Sequence, residues 1–460
     1  MKLTVSVAVS DSTGDNVVVA ELHRDGAVTA ASLGLTLAEA KELLRGVQRQ
    51  LVQAQLALHV ETQRTCRACG TRRQVKERRR ARFKSLFGGV PVSVARLRSC
   101  GCPDAASGAK TLIPEGLNRW VAPELEYVES WLAAKVSYAR SSDLLTQLLP
   151  ADVGSSTSTV RRRTLAVGKR LEKELRETKD APAPGAEKDF ATVVAAGLDS
   201  GYVRSCCPES GRSFEVVVGR ILGRGGSSRS LGFVRTIEKS AQSRDRIRWR
   251  VAQEGATTDG LTVFTDGDED LRRLQLAVLP NAEHILDWYH LTRKLTVLKN
   301  VVCGKEAVAK LPPHHQHNLY LGLSSLKWRL WHGQHARALS KVKELQRILR
   351  LPTVRNKPTA RRLRPLLGKL FKFLKSNADS LPDYGKRYRE GKRIATSFVE
   401  SAVNQLVDKR MSKSQQMRWS RKGAHLLIQV RTEVVDGRLT SHFERWYPGF
   451  RGVDVALEVA

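Results

Sequence analysis

Two aspartates follow short apolar runs of the kind that form buried β-strands. Asp199 closes the run ATVVAAGLD, and Asp266 closes the run LTVFTD. An ionised carboxylate beside a buried strand is costly unless it is paired or bound to a metal ion. Turn-forming residues follow both aspartates, so we expect the two carboxylates to lie exposed at one edge of a sheet. Aspartate is also common at strand–turn junctions for local reasons, and it is the occurrence of two such junctions that favours a shared site.

Glu400 is the candidate for a third carboxylate. It lies in SFVESAVNQLVDKR, which predicts a largely apolar helix over residues 394–410. The alternative is an ordinary surface glutamate on an amphipathic helix. Asp268 and Asp270 compete with Asp266 for the second position, and we prefer Asp266 because it directly follows the strand.

Three carboxylates gathered together suit metal-dependent phosphodiester chemistry. Hard Mg²⁺ or Mn²⁺ ions prefer carboxylate and water ligands. Two such ions, about 3.5–4 Å apart, can activate a water or a 3′-hydroxyl and stabilise the leaving oxygen. We therefore predict that Asp199, Asp266 and Glu400 are catalytic and bind two Mg²⁺ or Mn²⁺ ions.

The seven cysteines include two closely spaced pairs. Two residues separate Cys66 from Cys69, and one residue separates Cys100 from Cys102. Four thiolates in two pairs could bind one Zn²⁺ tetrahedrally and close a zinc ribbon. The alternative is four unrelated free thiols, and the second pair is shorter than usual. We predict one structural zinc ion with no catalytic role.

The chain carries a large excess of positive charge. Its 460 residues include 78 Lys and Arg against 46 Asp and Glu, a formal net charge of +32. Such an excess favours nucleic acid as the partner, although charge alone does not separate DNA from RNA. Residues 64–98 hold twelve basic residues and one acid, and residues 341–375 repeat that balance. No membrane-length apolar run or secretory signal occurs, so we expect a cytoplasmic protein without membrane association.

The N-terminal third predicts three successive modules. Alternating apolar residues and then helical spacing predict a β-hairpin and a long helix over 1–62, with Thr36 and Glu39 placed for a capping box. Residues 63–115 predict a basic, zinc-ribbon-like β module whose hairpin turns at Gly88-Gly89.

The third module, residues 116–178, is helical. Helices are predicted over 123–136 and 141–149, followed by a basic helix that begins SSTSTVRRR. A short helix, a turn and a basic helix are compatible with helix-turn-helix docking on DNA, although many helical domains share the pattern. DNA contacts are predicted for Arg78, Arg79, Arg80, Arg161, Arg162, Arg163, Arg410 and Arg418.

The rest of the chain predicts an α/β core with a long helical excursion. Residues 179–190 form a Pro/Ala-rich linker. Residues 191–290 predict the order strand, strand, strand, helix, strand, helix, strand, which indicates a mixed sheet. Helices follow over 291–393 and 394–435, and 436–460 is a tail. A polar loop rather than a metal site is predicted for His314, His315 and His317.

Four segments together resemble one family of proteins. GLDSGY, FTDGDEDLR, DWYHLTRKL and VESAVNQLVDKRMSKSQQMRWSRKGAHLLIQVR are similar to bacterial insertion-sequence transposases of the group named after the Kra element. These are DDE transposases with a ribonuclease H-like core, and the resemblance covers roughly residues 60–435. It implies that Asp199, Asp266 and Glu400 form the catalytic triad, with 291–393 as a helical insertion before the last acid.

The DWYH segment also resembles the Asp/Cys-x-x-His motif of Mutator-like transposases. In that reading Asp287 caps a helix, and His290 contacts DNA or braces the active site. Both are auxiliary residues rather than catalytic ones.

The resemblance implies a DNA transposase of the bacterial cytoplasm, associated with the nucleoid. It would bind terminal repeats and target DNA as a homodimer or larger assembly, and would cleave and join strands with Mg²⁺. The alternatives are a structure-selective nuclease with the same core and a non-catalytic, domesticated DNA-binding regulator. An RNA-binding protein fits less well, because no RRM-like or KH-like signature occurs.

Overall fold

The structure is a computed structural model that describes most of the chain. The described residues are 1–8, 16–102, 109–117, 119–150, 156–177, 193–207, 209, 211–223, 226–238, 240–254, 260–304, 311–412 and 417–452. The predicted linker, 179–190, lies outside them. The chain divides into an N-terminal unit, Met1–Leu171 with Gly437–Ala460, and a sheet unit, Glu172–Asp436.

The N-terminal unit begins with the predicted hairpin and helix. Strands β1 (Lys2–Val7) and β2 (Val17–His23) pair antiparallel, and α1 spans Leu37–Arg64. The predicted capping box is confirmed, since the Thr36 hydroxyl accepts from the Glu39 amide while the Glu39 carboxylate accepts from the Thr36 amide. The boundaries follow the apolar spacing because α1 buries one side against the strands beside it.

The basic β module is a hairpin with its turn earlier than predicted. Strands β3 (Val75–Ser85) and β4 (Gly88–Leu97) pair antiparallel, and β5 (Lys110–Thr111) adds to β4. Ser85 pairs with Gly88, so the turn residues are Leu86 and Phe87, and the prediction of a Gly88-Gly89 turn is wrong. Gly88 instead takes the left-handed φ of +104° that follows the tight turn.

Helices complete the N-terminal unit. Besides α1, the described helices of this unit are α2 (Pro123–Lys135), α3 (Tyr138–Leu148), α4 (Thr157–Glu177) and α14 (Leu439–Trp446), with α4 running past the unit boundary. The predicted Pro123 start is confirmed, whereas α3 begins three residues early because Ser137 caps it. Part of the predicted tail is helical, since α14 buries Phe443 against Tyr127 with ring centroids 5.3 Å apart.

The sheet unit contains the predicted mixed sheet, with the predicted order of elements. These are β6 (Val193–Arg204), β7 (Ser213–Gly223), β8 (Ser228–Val234), α5 (Ser240–Glu254), β9 (Thr262–Thr265), α6 (Glu269–Val278) and β10 (Glu283–Leu286). The strand order is β10-β9-β6-β7-β8. Strands β6, β7 and β8 are antiparallel neighbours, while β9 and β10 run parallel to β6.

A helical region follows β10, as predicted. It comprises α7 (Trp288–Cys303), α8 (Pro313–Trp331), α9 (His335–Ile348), α10 (Pro358–Ser376) and α11 (Tyr384–Arg389), packed around a common leucine-rich core. The prediction of a loop at three histidines is wrong. The prolines before them start α8 rather than a turn, and its first residues include His314, His315 and His317.

The last helices of the sheet unit return to the sheet. Helix α12 (Ser397–Val403) continues into a π-helical segment (Asn404–Ser412), and α13 spans Arg421–Val435. Helix α13 lies on β8 so closely that a Cβ at Gly232 would come 2.7 Å from Ile428. Among the helices of the described ranges, none combines the length and the apolar character needed to span a membrane.

Candidate functional site

Asp199 lies in β6, and Asp266 lies just past the end of the adjacent parallel strand β9. The last paired residues of β6 and β9 are Gly197 and Phe264, and each aspartate is two residues further along its strand direction. Asp266 directly follows β9, as predicted. The prediction that Asp199 ends its strand is wrong, because β6 continues to Arg204 and Asp199 pairs with Val218 of β7.

Two glycines bring the helix of Glu400 onto β6. Gly197 and Gly201 alternate with Asp199 along the strand, so all three share one face of the sheet. A Cβ at Gly197 would come 2.8 Å from Val399, and one at Gly201 would come 3.1 Å from Val407. The glycines therefore form a notch for α12 and the π-helical segment. Glu400, next to Val399, is held half-buried beside Asp199 by this contact.

The turn after Asp266 places it apart from Asp268 and Asp270, the two other candidates for the second carboxylate. The Asp268 amide donates to the Asp266 carboxylate at 2.8 Å, and Gly267 takes a left-handed φ of +90° between them. The Asp268 side chain is used as the N-cap of α6, where it accepts from two backbone amides. Asp270 is exposed and lies 3.4 Å from Arg235. This geometry supports the choice of Asp266.

The carboxylates influence one another electrostatically. Burial raises the pKa of Asp199, and the negative charges of Asp266 and Glu400 raise it further, against the lowering effects of the Ser200 amide and of His290. Burial also raises the pKa of Asp266, again opposed by His290. A divalent cation bound between these carboxylates would offset the repulsion among their negative charges.

Asp287 and His290 form a buried pair beside this site. Asp287 is fully buried and caps α7, as predicted, through the Tyr289 amide. It also accepts from His290 Nδ1 at 2.6 Å and from both the amide and the hydroxyl of Thr396. Burial alone would raise the pKa of Asp287, but these hydrogen bonds outweigh it and lower the pKa.

His290 links this pair to the carboxylates. Its hydrogen bond to Asp287 raises the pKa of His290, against the effect of burial, and the charges of Asp199 and Asp266 raise it further. On the other side of the site, the Tyr289 hydroxyl donates to Glu400 at 3.4 Å. Sequence reasoning missed Thr396 and Tyr289. Thr396 belongs to no motif, and Tyr289 occupies a variable position between Asp287 and His290 of the Asp-x-x-His pattern.

The four predicted zinc ligands lie together. Sulfur–sulfur distances are 3.4 Å between Cys66 and Cys100, 3.3 Å between Cys100 and Cys102, and 3.9 Å between Cys66 and Cys102. The edges of a tetrahedral zinc–thiolate site, with bonds of about 2.3 Å, are about 3.8 Å long. Cys69 completes the group, with all four sulfurs within 4.8 Å of one another. This cluster could hold a metal ion such as zinc.

The four thiols differ in how readily they ionise. Hydrogen bonds from Thr71 lower the pKa of Cys69 to about 6, while a hydrogen bond with Cys100 and burial raise the pKa of Cys102 to about 12. Four thiolates packed this closely repel one another. A bound metal ion removes that repulsion by coordinating each thiolate directly.

A second group with ligand-like spacing is buried in the sheet unit. Glu172, Glu238 and His425 also have ligand atoms within 4.8 Å of one another. Arg246 Nη2 lies 2.7 Å from Glu172 and also bonds to Glu238. Burial would raise the pKa of Glu172, but His425 and Arg246 hold it well below its usual range. The spacing could suit a metal ion, yet Arg246 already supplies a cation to both carboxylates.

Asp199, Asp266 and Glu400 differ from these two groups in the spacing of their ligand atoms. Within the described ranges, only those two groups meet the 4.8 Å spacing, and the trio is not among them. At least one pair of ligand atoms among Asp199, Asp266 and Glu400 is therefore more than 4.8 Å apart.

The predicted DNA-contact arginines divide into exposed and buried ones. Those exposed are Arg78, Arg79, Arg80, Arg161, Arg162 and Arg418. Arg163 is buried and bonds to Glu129 at 2.7 Å, and Arg410 is fully buried with its guanidinium 5.0 Å from the centre of the Trp419 ring. The prediction of DNA contacts is wrong for these two, because their charges are used inside the fold.

A comparison with models of protein families and a search of curated proteins found no match.

Proposed function

We propose that this protein is a DNA transposase of the DDE type, in which Asp199, Asp266 and Glu400 are the metal-binding carboxylates. The observation that carries the proposal is their shared position. Two lie level with each other on adjacent parallel strands, and the third lies on a helix that a glycine notch draws onto one of those strands. Three half-buried acids in a chain of net charge +32 are expected where a polyanion meets metal ions.

The architecture around the acids supports the proposed class. Three antiparallel strands followed by two parallel ones, in the order β10-β9-β6-β7-β8, are compatible with the ribonuclease H-like core that the family resemblance implies. Helices α7–α11 then correspond to the helical insertion between the second and third acids. Helix α10 of this insertion has exposed basic residues that are suited to contact the DNA backbone.

The chemistry proposed for the site is strand cleavage and strand transfer. Held by the three carboxylates, two Mg²⁺ ions would activate a water or a 3′-hydroxyl and neutralise charge at the leaving oxygen. The protein contributes the fixed acids. It also contributes His290, whose raised pKa and anchored Nδ1 make it a hydrogen-bond donor beside them. Asp287 and Thr396 orient His290 and the start of the Glu400 helix without touching the reacting atoms.

The N-terminal unit is the proposed recognition part. The four-cysteine cluster would hold one structural Zn²⁺ and fix the base of the β3–β4 hairpin, which exposes Arg78, Arg79 and Arg80. Arg161 and Arg162 are exposed in the first turns of α4. We infer that these surfaces bind the terminal repeats, and that two or more copies assemble on the DNA in the bacterial cytoplasm.

The test is metal-dependent cleavage of DNA that flanks the gene. Purified protein should nick a plasmid carrying the gene with its flanking DNA, and join the ends to a second plasmid, in Mg²⁺ but not in EDTA. Asp199→Ala should abolish both reactions and leave DNA binding intact, whereas Asp270→Ala, at an exposed rival acid, should retain them. Binding without cleavage in Mg²⁺ and Mn²⁺ would refute the enzymatic proposal. Cleavage without joining would identify a nuclease instead.

A further inference from the structure

Helix α10 carries a one-sided basic surface. Its nineteen residues, Pro358–Ser376, include six Lys and Arg and no acid. Its apolar face is buried in the leucine-rich core through Leu363, Leu367, Leu370 and Leu374. Arg364 turns its guanidinium toward backbone carbonyls of residues 349 and 355. The other five basic side chains are exposed; they are Arg361, Arg362, Lys369, Lys372 and Lys375.

These five side chains lie in one strip along the helix, which we call the basic track. At 3.6 residues per turn they fall within an arc of about 140° on the side opposite the buried leucines. From Arg361 to Lys375 the helix rises about 21 Å, which matches about six base pairs of duplex DNA. Within the part of the chain that the structure describes, none of the five forms an ion pair with a carboxylate. The track is therefore a strip of uncompensated charge.

One end of this track lies against the carboxylate site. Phe373 packs on the turn that follows Asp266, so closely that a Cβ at Gly267 would collide with its ring. The same end of the helix is fixed to α6, since Arg272 Nη1 donates to the Ser376 carbonyl at 2.9 Å. Lys294 Nζ lies 4.4 Å from the centre of the Phe373 ring on the α7 side. Lys372 and Lys375 thus flank the residue that touches the Asp266 turn.

We propose that the exposed face of α10 binds the backbone phosphates of duplex DNA next to the scissile bond. Lys372 and Lys375 are nearest the carboxylates, and Arg361 and Arg362 hold phosphates further along the duplex. The inference rests on the proposed function, because it identifies where the DNA leaves the acidic site. We choose duplex DNA as the partner because of its charge. A rigid basic strip of this length matches the regular phosphates of a duplex, whereas it offers an acidic protein no apolar contact.

The test compares two triple variants that remove the same charge. Lys369→Gln/Lys372→Gln/Lys375→Gln neutralises the end of the track near the site. Arg337→Gln/Arg347→Gln/Arg350→Gln neutralises exposed residues of α9 and the turn after it. Binding of a fluorescent 30-base-pair duplex is measured between 50 and 300 mM salt, in EDTA so that no cleavage occurs. Unchanged far-ultraviolet circular dichroism and melting temperature confirm that both variants are folded.

The α10 variant should lower the slope of log affinity against log salt by about 2–3, and weaken binding by at least tenfold at 0.1 M salt. The α9 variant should retain most of the native slope. An unchanged slope in the α10 variant would overturn the proposal. Equal losses of affinity in both variants would also overturn it, because net charge alone would then explain binding. The binding assay contains EDTA and therefore does not depend on cleavage. Failure of native protein to cleave DNA in Mg²⁺ would count against the proposed function and not against the α10 proposal. Native protein that binds single-stranded but not duplex DNA would also overturn the α10 proposal.

Discussion

Replacing Asp287 with asparagine is predicted to loosen the link between the sheet and the Glu400 helix. One carboxylate oxygen of Asp287 accepts from the amides of Tyr289 and Thr396, at 2.9 and 3.1 Å. The other accepts from His290 Nδ1 and from the Thr396 hydroxyl. Asparagine has the same shape but only one acceptor oxygen. Its NH₂ group would therefore replace the acceptor oxygen that His290 Nδ1 and the Thr396 hydroxyl now use.

The magnitude follows from the two hydrogen bonds that are lost. Hydrogen bonds to a charged acceptor contribute about 1.5–3 kcal/mol each, and breaking a buried charged network costs about 3–5 kcal/mol. We expect Asp287→Asn to lower the free energy of unfolding of the sheet unit by about 3–5 kcal/mol. Mg²⁺-dependent cleavage should also fall, because Thr396 directly precedes the helix that carries Glu400.

The assay is urea unfolding, with a lower midpoint at an unchanged m-value. Asp383→Asn is the matched control, because Asp383 is a half-exposed N-cap of α11 that accepts from the Lys386 amide. Asparagine caps helices as well as aspartate does, so the control should change stability little. A loss below about 1 kcal/mol for Asp287→Asn, or an equal loss in the control, would refute this reasoning.

Two further predictions concern the N-terminal unit. Native protein should contain about one equivalent of zinc, and Cys66→Ser should lose the zinc and lower the melting temperature of this unit. Cys303→Ser, at an exposed cysteine outside the cluster, should change neither. Less than about half an equivalent of zinc in native protein would contradict the four-thiolate site. Hydrogen bonds from Arg24 and Thr36 lower the pKa of Glu39 to about 2, so its ionised form stabilises the fold above pH 4.5 and that contribution is lost as the pH falls through about 2. The difference in unfolding free energy between native protein and Glu39→Gln should therefore be largest above pH 5 and shrink toward pH 2, and a difference that is independent of pH would contradict the prediction.

The order of elements in the sheet unit could be predicted because each strand is a short β-branched run and each helix has its own apolar spacing. The position of Asp199 within its strand could not. Ser200 and Gly201 have the composition of a turn, but both lie in β6, and the glycine leaves room for Val407, which would be 3.1 Å from a Cβ at position 201. The sequence shows that residue 201 is a glycine, but it does not show which neighbouring element packs closely against that position.

Charge counting had a similar limit. It identified the basic segments 64–98 and 341–375 and the basic start of α4, but it could not distinguish a surface arginine from one with an internal partner. Arg163 follows two exposed arginines and yet bonds to Glu129, 34 positions earlier in the chain. Such pairings depend on packing between helices, which local spacing does not encode.

The contact between Asp287 and Thr396 has a consequence for how this chain can change. These two residues are 109 positions apart in sequence, and next to them the Trp288 amide donates to the Ile394 carbonyl at 3.1 Å. The whole helical excursion thus leaves and rejoins the sheet unit at a single point, as a domain inserted into a host does. Because its ends already meet, its length could change without moving those ends apart, provided that the contact of Phe373 with the turn after Asp266 is kept. The chain therefore contains a mixed sheet and a helical excursion whose two ends are joined through one buried carboxylate, that of Asp287.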